Sequence, residues 1–225
     1  MELINFLEVI FVKIQSVTTV INQEARKNLF ISIAAGIFIG AALFDILPEL
    51  LPVFGLYQSL TLFITGFFVW FILKELTDRV SKSSFAIVSS LAFWLHSILE
   101  GTAVALSFGV SFTVGIMVAI GMLLHLIPEF LAIAAILKGE GVSTKRSVIV
   151  DLAGILFLAV SALTLTIFLK GFPHSAVQML GGISGGSFIY IGLMSFLRRP
   201  KNAKNTLGFL IGLALVVLWL VFFRM

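Results

Sequence analysis

The chain of 225 residues contains no cysteine. Disulfides, thiolate metal ligands and cysteine nucleophiles are therefore excluded, and any bound metal must rely on nitrogen and oxygen donors. Charge is scarce as well: 12% of the residues are charged against 60% hydrophobic, where soluble domains carry about a quarter charged. With a mean hydropathy of +1.15, that balance belongs in lipid and leaves little chain for a soluble domain. The first apolar run carries Glu8 and Lys13 and lacks a small-residue cleavage site, so it does not read as a signal peptide and is expected to stay attached. A basic stripe is missing too. The isoelectric point near 9.6 comes from Lys and Arg scattered in short loops, which gives no reason to expect a nucleic-acid partner.

What the chain does have is a series of apolar segments, each long enough to cross a hydrocarbon core about 30 Å thick. They run over 29–52, 56–73, 85–108, 113–137, 147–170, 176–197 and 207–223. The expected fold class is all-α: one domain over 1–225, a polytopic membrane bundle of seven transmembrane helices. Ahead of them, Leu3, Leu7, Ile10, Ile14, Val17 and Ile21 share one helical stripe, which predicts an N-terminal helix lying on the surface or spanning as an eighth. Arg26, Lys27, Lys74, Arg79, Lys82, Lys138, Lys145, Arg146, Arg198, Arg199, Lys201 and Lys204 fall in alternate connections, against Lys170 and Arg224 in the others. By the positive-inside rule the loops near 24–28, 74–84, 138–146 and 198–205 are cytoplasmic and the C-terminus external.

Small residues recur at four-residue spacing between Ala34 and Gly40, and again in Gly181-Gly182-Ile183-Ser184-Gly185-Gly186. This spacing predicts close helix packing in lipid. The second stretch lacks the strand and Lys of a phosphate loop, so nucleotide binding is rejected.

Ionisable residues inside the spans need a reason to be there, because a charge at the bilayer centre costs at least a few kcal/mol (about 3 on insertion scales). His96 and Glu100 stand four apart in one span, and His125 and Glu129 repeat the spacing in the next. Each pair shares a helical face. A short connection makes the two spans, over 85–137, an antiparallel hairpin whose polar faces can converge into a cage of two His and two Glu. Imidazole plus carboxylate suits Zn²⁺, Fe²⁺ or Mn²⁺ better than Mg²⁺ or Ca²⁺, which prefer oxygen shells, or Cu⁺, which prefers sulfur. Pro128, between His125 and Glu129, takes the helical partner of the Leu124 carbonyl and predicts a kink. Asp45 and Glu49 form another one-turn pair, placed near the external end of the first span as a mouth that concentrates cations. His174 is expected to be solvated in an external loop, and Asp151 to pair with Lys145 and Arg146.

At these residues the chain resembles the ZIP (Zrt/Irt-like) family of divalent metal transporters. That family's fourth and fifth helices carry His-Asn-x-x-Glu-Gly and His-Glu-x-Pro-Glu type motifs, here His96-Ser97-Ile98-Leu99-Glu100-Gly101 and His125-Leu126-Ile127-Pro128-Glu129. Ala34 through Glu49 is similar to its second helix and Gly185 through Ile191 to its seventh. The resemblance implies inverted repeats of three helices around the central pair, and an elevator-like or rocking motion that delivers divalent metal, Zn first with Fe or Mn as alternatives, into the cytoplasm. The metal is cargo; no cofactor is implied. Members with two metals have further ligands where this chain has Ser97 and Leu126, and the chain has no acidic residue in the middle of 147–170. A single ion is therefore expected, on His96, Glu100, His125 and Glu129, with Ser97 an auxiliary contact. Leu99 replaces a common proline, and the loop at 74–84 lacks the family's histidine cluster.

The expected partners are the metal ion and the lipid bilayer, with a homodimer open, in a multi-pass protein of the plasma membrane. Because ligands bind metal deprotonated, protonation offers a release route. The rival reading is an intramembrane metal-dependent hydrolase, with Glu100 or Glu129 as general base. It has thin support, since there is no His-Glu-x-x-His and a hydrolase keeps a metal position open.

Overall fold

The computed structural model describes residues 24–79, 81, 83–110, 112–168 and 174–223, and the predicted N-terminal helix at 3–22 lies outside them. The described residues form helices α1 (Glu24–Gly40), α2 (Leu47–Asp78), α3 (Ser84–Val110), α4 (Phe112–Gly139), α5 (Thr144–Phe168), α6 (His174–Leu197) and α7 (Ala203–Phe223), with a π-helical segment at Ala41–Ile46 between α1 and α2. Among the described residues no strand occurs.

Six of these stretches are long and apolar enough to cross a membrane, against seven predicted spans, because the first two are joined into one helical run of 53 residues at Arg26–Asp78. At about 1.5 Å per residue such a run would be some 80 Å long, more than twice the hydrocarbon thickness. It cannot cross as one rod. Gly55 breaks it, with φ 68° and ψ 174°, a conformation in which a Cβ would clash and which is almost confined to glycine. The two legs then run in opposite directions along α6. Before the break, Ile39 lies beside Gly192, Phe38 stacks edge-on against Phe188 and Leu50 lies beside Gly182; after it, Leu62 lies beside Gly182, Phe63 beside Gly185 and the Phe67 ring against Tyr190. The predicted spans at 29–52 and 56–73 are the two arms of this hairpin.

The π-helical segment has a sequence cause. Pro48 has no amide to give the Phe44 carbonyl, and the ladder widens just ahead of it, with the Leu47 amide donating to the Ala42 carbonyl, five residues back. Pro128, by contrast, lies inside α4 without interrupting its helical run over Phe112–Gly139.

Two packed groups emerge. One holds α1, α2, α6 and α7; the other holds α3, α4 and α5, with α3 lying along α5. They meet where α1 crosses α4 and α3 crosses α6. The small-residue stripes are the contact surfaces. A Cβ on Gly36 would run into the backbone at Phe209 and Leu213 of α7, and one on Gly186 into the Phe63 carbonyl of α2. Apolar side chains gain nothing by leaving lipid for protein, so such backbone approach is what holds helices together here.

The basic connections gather at one end of the bundle. Glu140 lies 3.5 Å from the Arg198 guanidinium and 3.4 Å from that of Arg199. Arg198 in turn sits over the Phe85 ring at 4.3 Å, and Asp78 receives Lys74 and Ser84.

No atom lies near the position of a Cβ on Gly55, so the cost of a side chain there is backbone strain alone. G55A is expected to lower the apparent melting temperature in detergent, by an amount equivalent to about 1–3 kcal/mol. G109A, in the open on helical α3, is expected to be neutral or stabilising by up to about 1 kcal/mol. Equal melting of G55A and the native protein would overturn the hairpin break.

Candidate metal centre

Three of the four predicted ligands come from neighbouring turns of the central hairpin. His96 and Glu100 lie one turn apart on α3, and Glu129 lies on α4. All three are buried, with Glu129 only 1% exposed. Gly101, the residue after Glu100, fixes how deep this face sits: a Cβ there would collide with the Leu158 carbonyl and Ser161 hydroxyl of α5. Only glycine lets α3 lie that close to α5.

The His96 Nε2 atom is 3.4 Å from Glu100 Oε1 and 3.4 Å from Glu129 Oε1, and one donor atom from each residue can be chosen so that all lie within 4.8 Å of one another. Bonds of about 2.1 Å at tetrahedral angles put ligand atoms roughly 3.4 Å apart. The two imidazole–carboxylate separations thus match the edges of such a polyhedron. Across from the acids, His96 Nδ1 lies 3.1 Å from Ser184 Oγ on α6, and the imidazole ring packs at 4.3 Å on Phe188 of the same helix. Chemically, the group offers one nitrogen and two carboxylates, a hard-to-borderline donor set for a small divalent cation.

His125 belongs to α4, one turn before Glu129, but its side chain lies outside the described residues. The same holds for the His174 side chain, at the first position of α6.

A family model, ZIP zinc transporter, matches residues 74–219, which takes in the His96–Glu100 and His125–Glu129 pairs and α3 to α7. The chain belongs to the ZIP zinc transporter family. It is accordingly a multi-pass membrane protein of a family that carries divalent metal. Comparison with individual curated proteins yields no match.

The other residues singled out from the sequence of this ZIP chain are spread more widely. The Ser97 hydroxyl is buried and donates to the Phe93 carbonyl of its own helix at 3.0 Å, on the face that meets Gly154 of α5. Asp45 is half-buried in the π-helical segment and Glu49 is exposed on the first turn of α2. Asp45 falls between Phe38, which meets Phe188, and Leu50, which meets Gly182. That register sets it about level with Ser184, deeper than the rim of the bundle.

Asp151 departs from expectation. It is 3% exposed, and among the described residues neither carboxylate oxygen finds a hydrogen-bond partner, whereas Lys145 and Arg146 are exposed. Helical geometry explains this: Ser147, Asp151, Gly154 and Leu158 form the buried stripe of α5, and the basic pair points the other way. Ser184 and Phe188 were missed in the sequence. Both sit in a stretch whose small residues explain it fully as packing, and a lone serine in an apolar span carries no signal because it can bond its own helix.

A buried carboxyl group without a hydrogen-bond partner costs about 1–3 kcal/mol. D151L is therefore expected to raise the apparent melting temperature of the purified protein by a corresponding amount. A lower melting temperature would mean that this carboxyl group is held by an interaction that folding depends on.

Proposed function

We propose that this chain carries a divalent transition-metal ion across the membrane, Zn²⁺ first with Fe²⁺ or Mn²⁺ as alternatives, on a single site of His96, Glu100, His125 and Glu129. The observation that carries the reading is the placement of His96 Nε2 at 3.4 Å from each of two buried carboxylates, inside the membrane-spanning part of a ZIP family chain. Charge counting favours a divalent cargo. Two carboxylates and one 2+ ion sum to zero, so the loaded site carries no net charge in a medium where each uncompensated charge is costly. A monovalent ion would leave one negative charge unmatched. The imidazole then discriminates among divalent ions, because Mg²⁺ and Ca²⁺ favour shells made only of oxygen.

His125, one turn from Glu129, completes four-coordination in this reading, with Ser97 as an auxiliary contact. Asp45 and Glu49 draw cations towards the site from the external side. Transport runs into the cytoplasm of a cell whose plasma membrane holds the protein, alone or as a homodimer. With both carboxylates engaged as ligands, no general base remains for hydrolysis.

The test is uptake of Zn²⁺, Fe²⁺ and Mn²⁺ into proteoliposomes. H96A, E129A and the H96A/H125A double variant are each expected to abolish accumulation, and D45A to slow it without abolishing it. Loss at Asp45 as complete as at His96 would move Asp45 into the site itself. Metal that binds the native protein but never reaches the lumen would overturn transport and reopen the hydrolase reading.

A further inference from the structure

We infer that Ser184 is the residue that orients His96 for the metal; this rests on the reading of His96 as a ligand. An imidazole has two nitrogens, and only one can face the ion. Here Nε2 faces Glu100 and Glu129, while Nδ1 lies 3.1 Å from Ser184 Oγ. A nitrogen that coordinates metal must be unprotonated, so the proton of the neutral ring then resides on Nδ1 and is donated to the serine oxygen. With no ion present, the opposite tautomer can direct Nε2–H to the acids and accept the serine O–H at Nδ1. A hydroxyl serves both arrangements because it is donor and acceptor at once.

Four other buried serines behave differently. Ser32, Ser59, Ser90 and Ser97 each donate to a carbonyl four residues earlier in their own helix, the ordinary way to satisfy a hydroxyl in an apolar span. Ser184, fully buried, instead reaches from α6 to an imidazole on α3. Phe188, one turn further along α6, packs against the same ring, with centroids 4.3 Å apart and planes tilted by 45°. The three described donors all come from α3 and α4, so α6 supplies no ligand among them. What it supplies is the angle of the imidazole.

Ser184 is thus a positioning residue, and losing its hydroxyl should loosen the site without removing a ligand. The experiment uses Co²⁺ as the probe with the full chain purified in detergent, reading the dissociation constant and the visible absorption of the bound ion. S184A is expected to raise the dissociation constant roughly 10–100-fold, the usual cost of losing an outer-sphere partner of a ligating His, and to alter the absorption bands. S184T, which keeps a hydroxyl, should recover most of the affinity. S90A, which removes a buried hydroxyl from α3, should leave both readouts as in the native protein. If S184A does not fold, S184G removes the same hydroxyl without adding bulk and carries the same expectation. H96A, measured alongside, separates the two levels of the argument. Native affinity and spectrum in S184A together with loss of binding in H96A would overturn the role of Ser184 alone. Native binding in H96A would overturn the metal site and the role of Ser184 with it.

Discussion

Two carboxylates in the interior of a bilayer are the constraint around which the rest of this protein is arranged. Glu100 and Glu129 are buried to within a few per cent, and an isolated charge at such a depth costs about 3 kcal/mol on insertion scales. Fold stability alone gives no reason to keep two acids and an imidazole within 4.8 Å of one another. The grouping makes sense when a cation completes it, and the cation must then be able to leave. The site draws on three helices, with its ring in contact with α6 and its acids carried by α3 and α4.

The packing is suited to that. Within each group the helices touch backbone to backbone, as at Gly36 of α1 against α7, Gly186 of α6 against α2 and Gly101 of α3 against α5. Such crossings are stiff, because a glycine contact has no side chain through which to give. Between the groups, the contact that bears on the site runs through side chains, His96 with Ser184 and Phe188. At the basic end the Glu140 pairs with Arg198 and Arg199 also join the two groups. Partly exposed ion pairs such as these are worth little individually.

Much of this was legible from sequence because lipid imposes simple rules. Apolar runs located the spans, and the four-residue spacing of His96 with Glu100 put both on one face, which the structure bears out by bringing them together with Glu129. The small-residue stripes were correctly read as packing. The failures have physical causes too. The first two spans could not be known to form one run broken only at Gly55, since hydropathy does not record a single dihedral angle. Asp151 was paired with nearby Lys145 and Arg146 by sequence distance, when helical phase sends them to opposite faces. Ser184 was invisible because its role depends on a residue 88 positions away.

Asp151 shows why a buried acid is not by itself a site. Its carboxyl group is as deeply buried as those of Glu100 and Glu129, yet its stripe on α5 meets α3 at Phe93, Ser97 and Gly101, along with Gly154 and Leu158, and brings no imidazole or second carboxylate to it among the described residues. A single carboxyl group in lipid can become neutral by taking up a proton, whereas two acids converging on an imidazole nitrogen offer the donor set of a divalent cation. What distinguishes the candidate metal centre is therefore convergence, with donors from α3 and α4 meeting beside an imidazole that contacts Ser184 and Phe188 of α6.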